Sequence, residues 1–125
     1  MKKIIHTETA PAAIGPYSQA IEINGLLFVS GQIPLVPATG ELVAGDIKAQ
    51  TKQVIENLKS IVTSANYNFE TVVKCTCFLT DMKDFAAFNE VYSSYFGSIV
   101  PARECVQVAG LPKDANVEIS LICSQ

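Results

Sequence analysis

Val72-Val73-Lys74-Cys75-Thr76-Cys77-Phe78-Leu79-Thr80 alternates strictly. Successive side chains of a strand point to opposite faces, so Val73, Cys75, Cys77 and Leu79 share one side. Lys74, Thr76, Phe78 and Thr80 share the other. The segments on both flanks change period. Downstream, Phe85, Phe88, Tyr92, Tyr95 and Phe96 recur at helical spacing, with Thr80 or Asp81 as cap and Gly97 as stop. Upstream, Ile47, Val54, Ile55, Leu58, Ile61, Val62 and Ala65 form a stripe opposite Lys48, Lys52, Glu56 and Lys59. Asp46 is placed to cap that helix, which should end near Asn66. A strand held between two amphipathic helices sets the fold.

The outer segments add strands. Residues 2–6 read as a short first strand, and Ala10 to Pro16 as a loop punctuated by Pro and Gly. Ser18–Ile23 and Leu26–Gly31 flank Asn24-Gly25, the strongest short-range hairpin signal. Pro34, Pro37 and Thr39-Gly40 mark a second loop. Two further strands, about 102–109 and 116–123, are joined through Leu111-Pro112-Lys113-Asp114. The order is strand, hairpin, helix, strand, helix, strand, strand. The expected fold is α+β: one mixed sheet of about six strands with two helices on one face.

Two helices cover only one face of such a sheet. Val106, Val108, Val117, Ile119, Leu121 and the Val73–Leu79 row suit the helices. Thr76, Phe78, Arg103, Cys105, Gln107, Glu118, Ser120 and Ile122 are then expected on the bare face. Such a mixture of apolar and charged groups suggests a surface covered by another subunit, with a polar pocket in the joint.

The chain has 125 residues, 49% apolar and 17% charged, with a net charge of −3. One domain spanning 1–125 is expected, with enough apolar surface to fold without staples. The acidic balance argues against general nucleic-acid binding, which needs clustered Lys and Arg. No apolar run reaches the length of a membrane span, and Met1–His6 is too briefly apolar for a signal peptide. A soluble, cytoplasmic protein is expected.

Cys75 and Cys77 point the same way and cannot bridge, and Cys-x-Cys is not a zinc or thioredoxin spacing. Reduced thiols acting as small core residues are the better reading. His6 is the only histidine, which excludes a His-rich metal site and a two-histidine acid/base pair. Arg103 is the only arginine. Its planar fork matches a carboxylate, either internal (Glu104, Glu118 or Asp114) or on a ligand; position alone favours the internal pair. Glu118, between apolar neighbours, is either a strand-edge charge or a desolvated carboxylate able to hold or deprotonate a water. Cys105 is a thiolate beside a cation or, the favoured reading, a small filler. Gly31 lets backbone approach a ligand or only turns the chain. Tyr17 is a pocket wall or packing.

Together these residues resemble a known family. Ala10-Pro11-Ala12-Ala13-Ile14-Gly15-Pro16-Tyr17-Ser18-Gln19-Ala20 and Ser30-Gly31-Gln32-Ile33-Pro34 are similar to blocks of the Rid proteins, the reactive-intermediate (imine/enamine) deaminases. So are Asn57-Leu58-Lys59, Asp84-Phe85-Ala86-x-Phe88-Asn89-x-x-Tyr92, and the run from Pro101-Ala102-Arg103 to Val117-Glu118-Ile119. The pattern is closest to the RidA subgroup and covers nearly the whole chain. Glu104 stands where the family pattern has a small residue, and Gly110 where close relatives often have Arg.

The resemblance implies a chorismate-mutase-like fold of the Bacillus type and a homotrimer with sites between subunits. It implies cofactor-independent and metal-independent hydrolysis of 2-imino acids and enamines (2-aminoacrylate/2-iminopropanoate, 2-iminobutanoate) to 2-keto acids and ammonia, protecting pyridoxal-phosphate enzymes. Arg103 would clamp the substrate carboxylate and Glu118 would position or activate water. Tyr17, Ser30, Gly31, Asn89 and Cys105 would line the pocket. The resemblance thus turns the Arg103 reading from ion pair to ligand clamp. The rival readings are a trimer that binds small keto acids without turnover and an endoribonuclease.

Overall fold

The computed structural model describes residues 1–125. Its strands are β1 (Lys3–Ile5), β2 (Ala20–Ile23), β3 (Leu26–Gln32), β4 (Val72–Leu79), β5 (Ala102–Gln107) and β6 (Val117–Ser124). Its helices are α1 (Ile47–Ser64), after β3, and α2 (Phe85–Phe96), after β4. The sheet order is β1-β2-β3-β6-β4-β5. Only β4 and β5 run parallel, joined by the α2 crossover; every other pair is antiparallel. This is the mixed six-stranded α+β sheet expected.

Local chemistry explains the boundaries. Asn24 and Gly25 take φ of 51° and 76°, the paired positive values of a tight hairpin turn whose twist matches its strands. The Asp46 carboxylate accepts the Ala49 N–H at 3.0 Å and caps α1. Asp46→Ala should lower stability by about 1 kcal/mol, read as a shifted urea midpoint with an unchanged slope. The cap expected for α2 is corrected. Asp81 accepts the Lys83 N–H at 2.9 Å and caps a single 3-10 turn, Met82–Asp84. The α-helix begins only at Phe85, and Asp84 offers it no side-chain bond. Gly97, at φ 62°, ends it as expected.

The core lies between the helices and one sheet face. Val54, Ile55, Leu58, Ile61 and Val62 of α1 and Phe88 and Tyr92 of α2 are buried. They meet Leu27, Val29, Cys75, Cys77, Leu79, Val117, Ile119, Leu121 and Cys123 from the strands. All four cysteines are free thiols. Cys75, Cys77 and Cys123 are core residues, as read from their placement.

The face assignments of Val73 and of β5 are corrected. Val73 does not join the core row; the register shifts between Val72 and Lys74, turning it outward, 46% exposed. β5 has the opposite parity to that expected. Its parallel register sets Arg103 beside Cys75, Cys105 beside Cys77 and Gln107 beside Leu79. Those three side chains therefore lie on the helix side, and Gln107 accepts the Met82 N–H at 2.8 Å. Val106 lies on the bare face, 46% exposed, and Val108 falls beyond the strand. The cause is physical. β5 is an edge strand, and the bare face carries Phe28, Phe78 and Ile122 beside its charged groups, so hydrophobicity does not distinguish the two sides of β5.

On that bare face Phe28 pairs with Ile21 and Ile122, and Phe78 lies between Glu118 and Val106. Lys74 and Glu104 form an ion pair there at 2.6 Å. Glu104 thus points away from Arg103, as strand alternation predicts.

Candidate active site

The first cleft forms where β3 loses its ladder. Pairing with β6 slips between Val29 and Gln32, which leaves Ser30 and Gly31 in a bulge, a device that re-aims a strand near functional groups. The Ser30 N–H donates to the Gln19 carbonyl at 3.0 Å, and its hydroxyl to the Ser18 carbonyl at 2.6 Å. Glu118, on the neighbouring strand, lays its carboxylate against Gly31. A Cβ at position 31 would sit 2.7 Å from Glu118 Oε2 and 2.9 Å from Cδ. Glycine is needed here for space, not for backbone angle.

Tyr17 stands at the rim, its ring against Gly15 and its hydroxyl accepting the Ile14 N–H at 3.3 Å. Tyr17, Ser30, Gly31 and Glu118 line a cavity of about 300 Å³, with Ile33 and Leu35 among its apolar walls. No cation pairs with Glu118; the two ion pairs are Lys48–Glu90 and Lys74–Glu104. Burial alone pushes its carboxyl above the usual range. A carboxylate so placed is a better proton acceptor than one in water.

The second cleft lies on the other side of the sheet. Arg103 rises from β5 toward α2, where its Nη1 donates to Asn89 Oδ1 at 2.7 Å. Its guanidinium carbon lies 4.7 Å from the Tyr92 ring centre, 5.6 Å from Phe85 and 5.8 Å from Phe88. Aromatic faces attract a cation and hold its plane. Arg103, Asn89, Tyr92, Ser93, Val100 and Pro101 surround an opening of about 280 Å³. No carboxylate of the chain occupies the guanidinium fork. Glu104 is committed to Lys74, and Glu118 projects from the opposite face.

Cys105, two residues along the same strand, is half-buried and packs against the core. Burial raises its thiol despite the nearby arginine, which lowers it. It is therefore a thiol, and the filler reading fits better than the thiolate. The Tyr92 hydroxyl is buried with no hydrogen-bond partner, and desolvation, with the neighbouring Cys75 thiol, holds its pKa far above the ordinary phenol range.

The structure thus brings Tyr17, Ser30, Gly31 and Glu118 together, and separately Arg103 and Asn89 with Cys105 beside them. It does not bring the two groups together within one chain. Ile33, Leu35 and Pro112, which wall the first cleft, escape a reading of the sequence because apolar loop residues carry no periodic signal. No three histidine, cysteine or acidic side chains gather in a way that would hold a metal ion.

Six mixed strands under two helices, with a desolvated carboxylate at a bulge in one cleft and an uncommitted arginine in another, define a class of small α+β proteins with two separate clefts. A RutC family protein of Pyrococcus horikoshii is 56% identical over 122 residues, covering 98% of this chain and 97% of its own. The Escherichia coli protein named "Putative reactive intermediate deaminase TdcF" is 48% identical, covering 98% and 96%. The crystal structure of E. coli TdcF with bound serine superposes with a TM-score of 0.94 at 46% identity, covering 98% of each chain. YyfA of Yersinia pestis, of the conserved Rid protein family, gives 0.97 at 47% identity over the whole of both chains. The family model Endoribonuclease L-PSP matches residues 7–125. This chain belongs to that family, the family of the Rid and RutC proteins.

Proposed function

We propose that this protein hydrolyses 2-imino acids with small side chains, such as 2-iminopropanoate and 2-iminobutanoate, to 2-keto acids and ammonia. The observation that carries the reading is the uncommitted Arg103 fork, oriented by three rings and Asn89, whose planar geometry matches a substrate carboxylate. A complete site needs a second copy of the chain. Arg103 and Glu118 occupy opposite faces of one sheet, and the bare face exposes Phe28 and Val106, apolar surface that a second subunit would cover. A homotrimer, with Arg103 of one subunit meeting Glu118 of the next, joins the two clefts and covers that face.

The chemistry follows from the groups present. A protonated imine is already electrophilic, so water adds without further activation of carbon. Arg103 fixes the carboxylate, and Glu118 takes a proton as the water oxygen bonds to C2. The carbinolamine then receives that proton on nitrogen. The C–N bond breaks, ammonia leaves, and loss of the hydroxyl proton to Glu118 gives the keto acid. Orientation supplies much of the acceleration, and proton transfer by Glu118 adds about 10²–10⁴-fold.

The test is a coupled assay in which a threonine dehydratase makes the imine and semicarbazide traps what survives. Wild type should suppress trapping. Glu118→Gln should slow hydrolysis about 100-fold or more while leaving 2-oxobutanoate binding nearly intact. Equal rates with and without wild-type protein would sink the proposal.

Glu118→Gln should also raise stability at neutral pH. The carboxyl is shifted upward in the folded protein, so the folded state keeps a proton that the unfolded chain releases. Stability therefore falls as pH rises from the ordinary carboxylate range through the raised value. The glutamine variant should lack that slope, as thermal melts across pH would read.

A second reading, a trimer that binds small carboxylates without turnover, has one observation behind it: TdcF holds serine, an amino acid and not an imine. It predicts binding without rate enhancement in the same assay. The family's name points to RNA cleavage. A net charge of −3 and a single arginine argue against it, since binding to the phosphate backbone draws on clustered cations.

A further inference from the structure

Gln19 is a buried polar residue for which the proposed chemistry has no use. It is 3% exposed and stands just ahead of β2. Its Nε2 donates to the Pro11 carbonyl at 2.8 Å and to the Thr7 carbonyl at 3.1 Å. Its Oε1 accepts the Thr7 N–H at 2.7 Å. The carboxamide therefore uses both donors and an acceptor on one loop.

That loop, residues 7–17, has no helix or strand. Its other hydrogen bonds stay inside it: Thr7 with Thr9, Tyr17 N–H to the Gly15 carbonyl, and Ile14 N–H to the Tyr17 hydroxyl. The three bonds of Gln19 are the only ones that tie residues 7–17 to the rest of the chain. The same residue reaches the cleft through its backbone, because its carbonyl accepts the Ser30 N–H at 3.0 Å. One residue thus joins the loop that carries Pro11, Ile14 and Tyr17 to the bulge that carries Ser30 and Gly31. Those five side chains or backbones line the Glu118 cleft.

We propose that Gln19 is a positioning residue: its carboxamide clasps loop 7–17 so that Tyr17 and its neighbours stand as a fixed wall opposite Glu118. The proposal rests on the reading of that cleft as the imino-acid site. A buried carboxamide with satisfied partners suits the task, because an unpaired buried group would be costly and so holds the loop in one arrangement. Loosening the wall removes binding shared by substrate and transition state, which raises KM more than it lowers kcat.

The test compares wild type with Gln19→Leu and Gln19→Glu by amide hydrogen exchange and by imine hydrolysis. Gln19→Leu should speed exchange over residues 7–17 at least about tenfold with α1 and β6 protection unchanged. KM should rise about tenfold with kcat within about threefold. Unchanged exchange, or faster exchange with unchanged KM, overturns the proposal.

If Gln19→Leu does not fold, Gln19→Glu carries the test. Its carboxylate would face the Thr7 and Pro11 carbonyls, and only its protonated form can donate to one of them. Its activity relative to wild type should therefore improve as pH falls, and a flat ratio overturns the clasp. Wild type that binds 2-oxobutanoate without hydrolysing the imine sinks the hydrolase reading alone. The same comparison is then made in Kd, where about tenfold weaker binding supports the clasp and an equal value overturns it.

Discussion

Arg103→Ala is expected to leave a folded protein that has lost nearly all imine hydrolysis. The guanidinium is the only group in its cleft able to meet a carboxylate with two parallel bonds, and no acidic side chain competes for it. Removing one partner of a hydrogen-bonded charge pair costs about 2–5 kcal/mol, so kcat/KM should fall by roughly 30-fold to 5,000-fold. Arg103→Lys should recover little of this. Lysine keeps the charge but has neither the planar fork nor the flat face that lies among Phe85, Phe88 and Tyr92. Folding should survive, since Arg103 is only half-buried and its one hydrogen bond is to the half-exposed Asn89. Steady-state kinetics beside a thermal melt distinguish the two effects. A variant with wild-type kcat/KM would refute the clamp.

The second large effect is expected from Gly31→Ala, a change of one methyl group. The backbone of Gly31 lies outside the left-handed region, so alanine can adopt it. The only obstacle is the Glu118 carboxylate at 2.7 Å from the new carbon. A carboxylate at the end of a flexible side chain can swing aside at little cost to folding. On the proposed mechanism it cannot do so and still hold the attacking water in place. Misplacing a reacting group by about 1 Å costs on the order of 100-fold, so kcat should fall by about that factor while the melting temperature moves little. With Glu118→Gln already present, Gly31→Ala should add much less, because the group it displaces has lost its role. Independent, multiplicative losses would show that Gly31 acts by some other route.

The same positions show what the amino-acid sequence does and does not carry. Alternation in residues 72–80 and the two helical stripes locate the layers, because burial imposes a period on whatever packs against the core. Asn24-Gly25 and Gly97 mark turns, because few residues accept their backbone angles. Parity on β5 is not legible. Its apolar Val106 faces a second apolar surface, and only the register with β4 shows that Arg103 lies on the helix side. The parity expected from hydrophobicity puts Arg103 and Glu118 on one face, whereas the structure separates them. Arg103, Glu118 and Gly31 are nevertheless individually legible, since an isolated arginine, a carboxylate between apolar neighbours and a glycine in a strand each ask for a physical reason; the apolar walls Ile33, Leu35 and Pro112 are not. Gln19 lay within a recognised block of the sequence, yet its task depends on three bonds within a loop that has no period to read.

The separation of Arg103 from Glu118 yields the most direct test of the whole account. Arg103→Ala and Glu118→Ala proteins, each inactive alone, are mixed, dissociated and reassembled, and imine hydrolysis is measured. In a ring of three identical contacts, random mixing gives about one quarter of the joints an intact arginine and an intact glutamate. The account predicts recovery to about that fraction of wild-type activity. Reassembled mixed oligomers with no activity above the separate variants would contradict it, and would mean that the two clefts do not form one site.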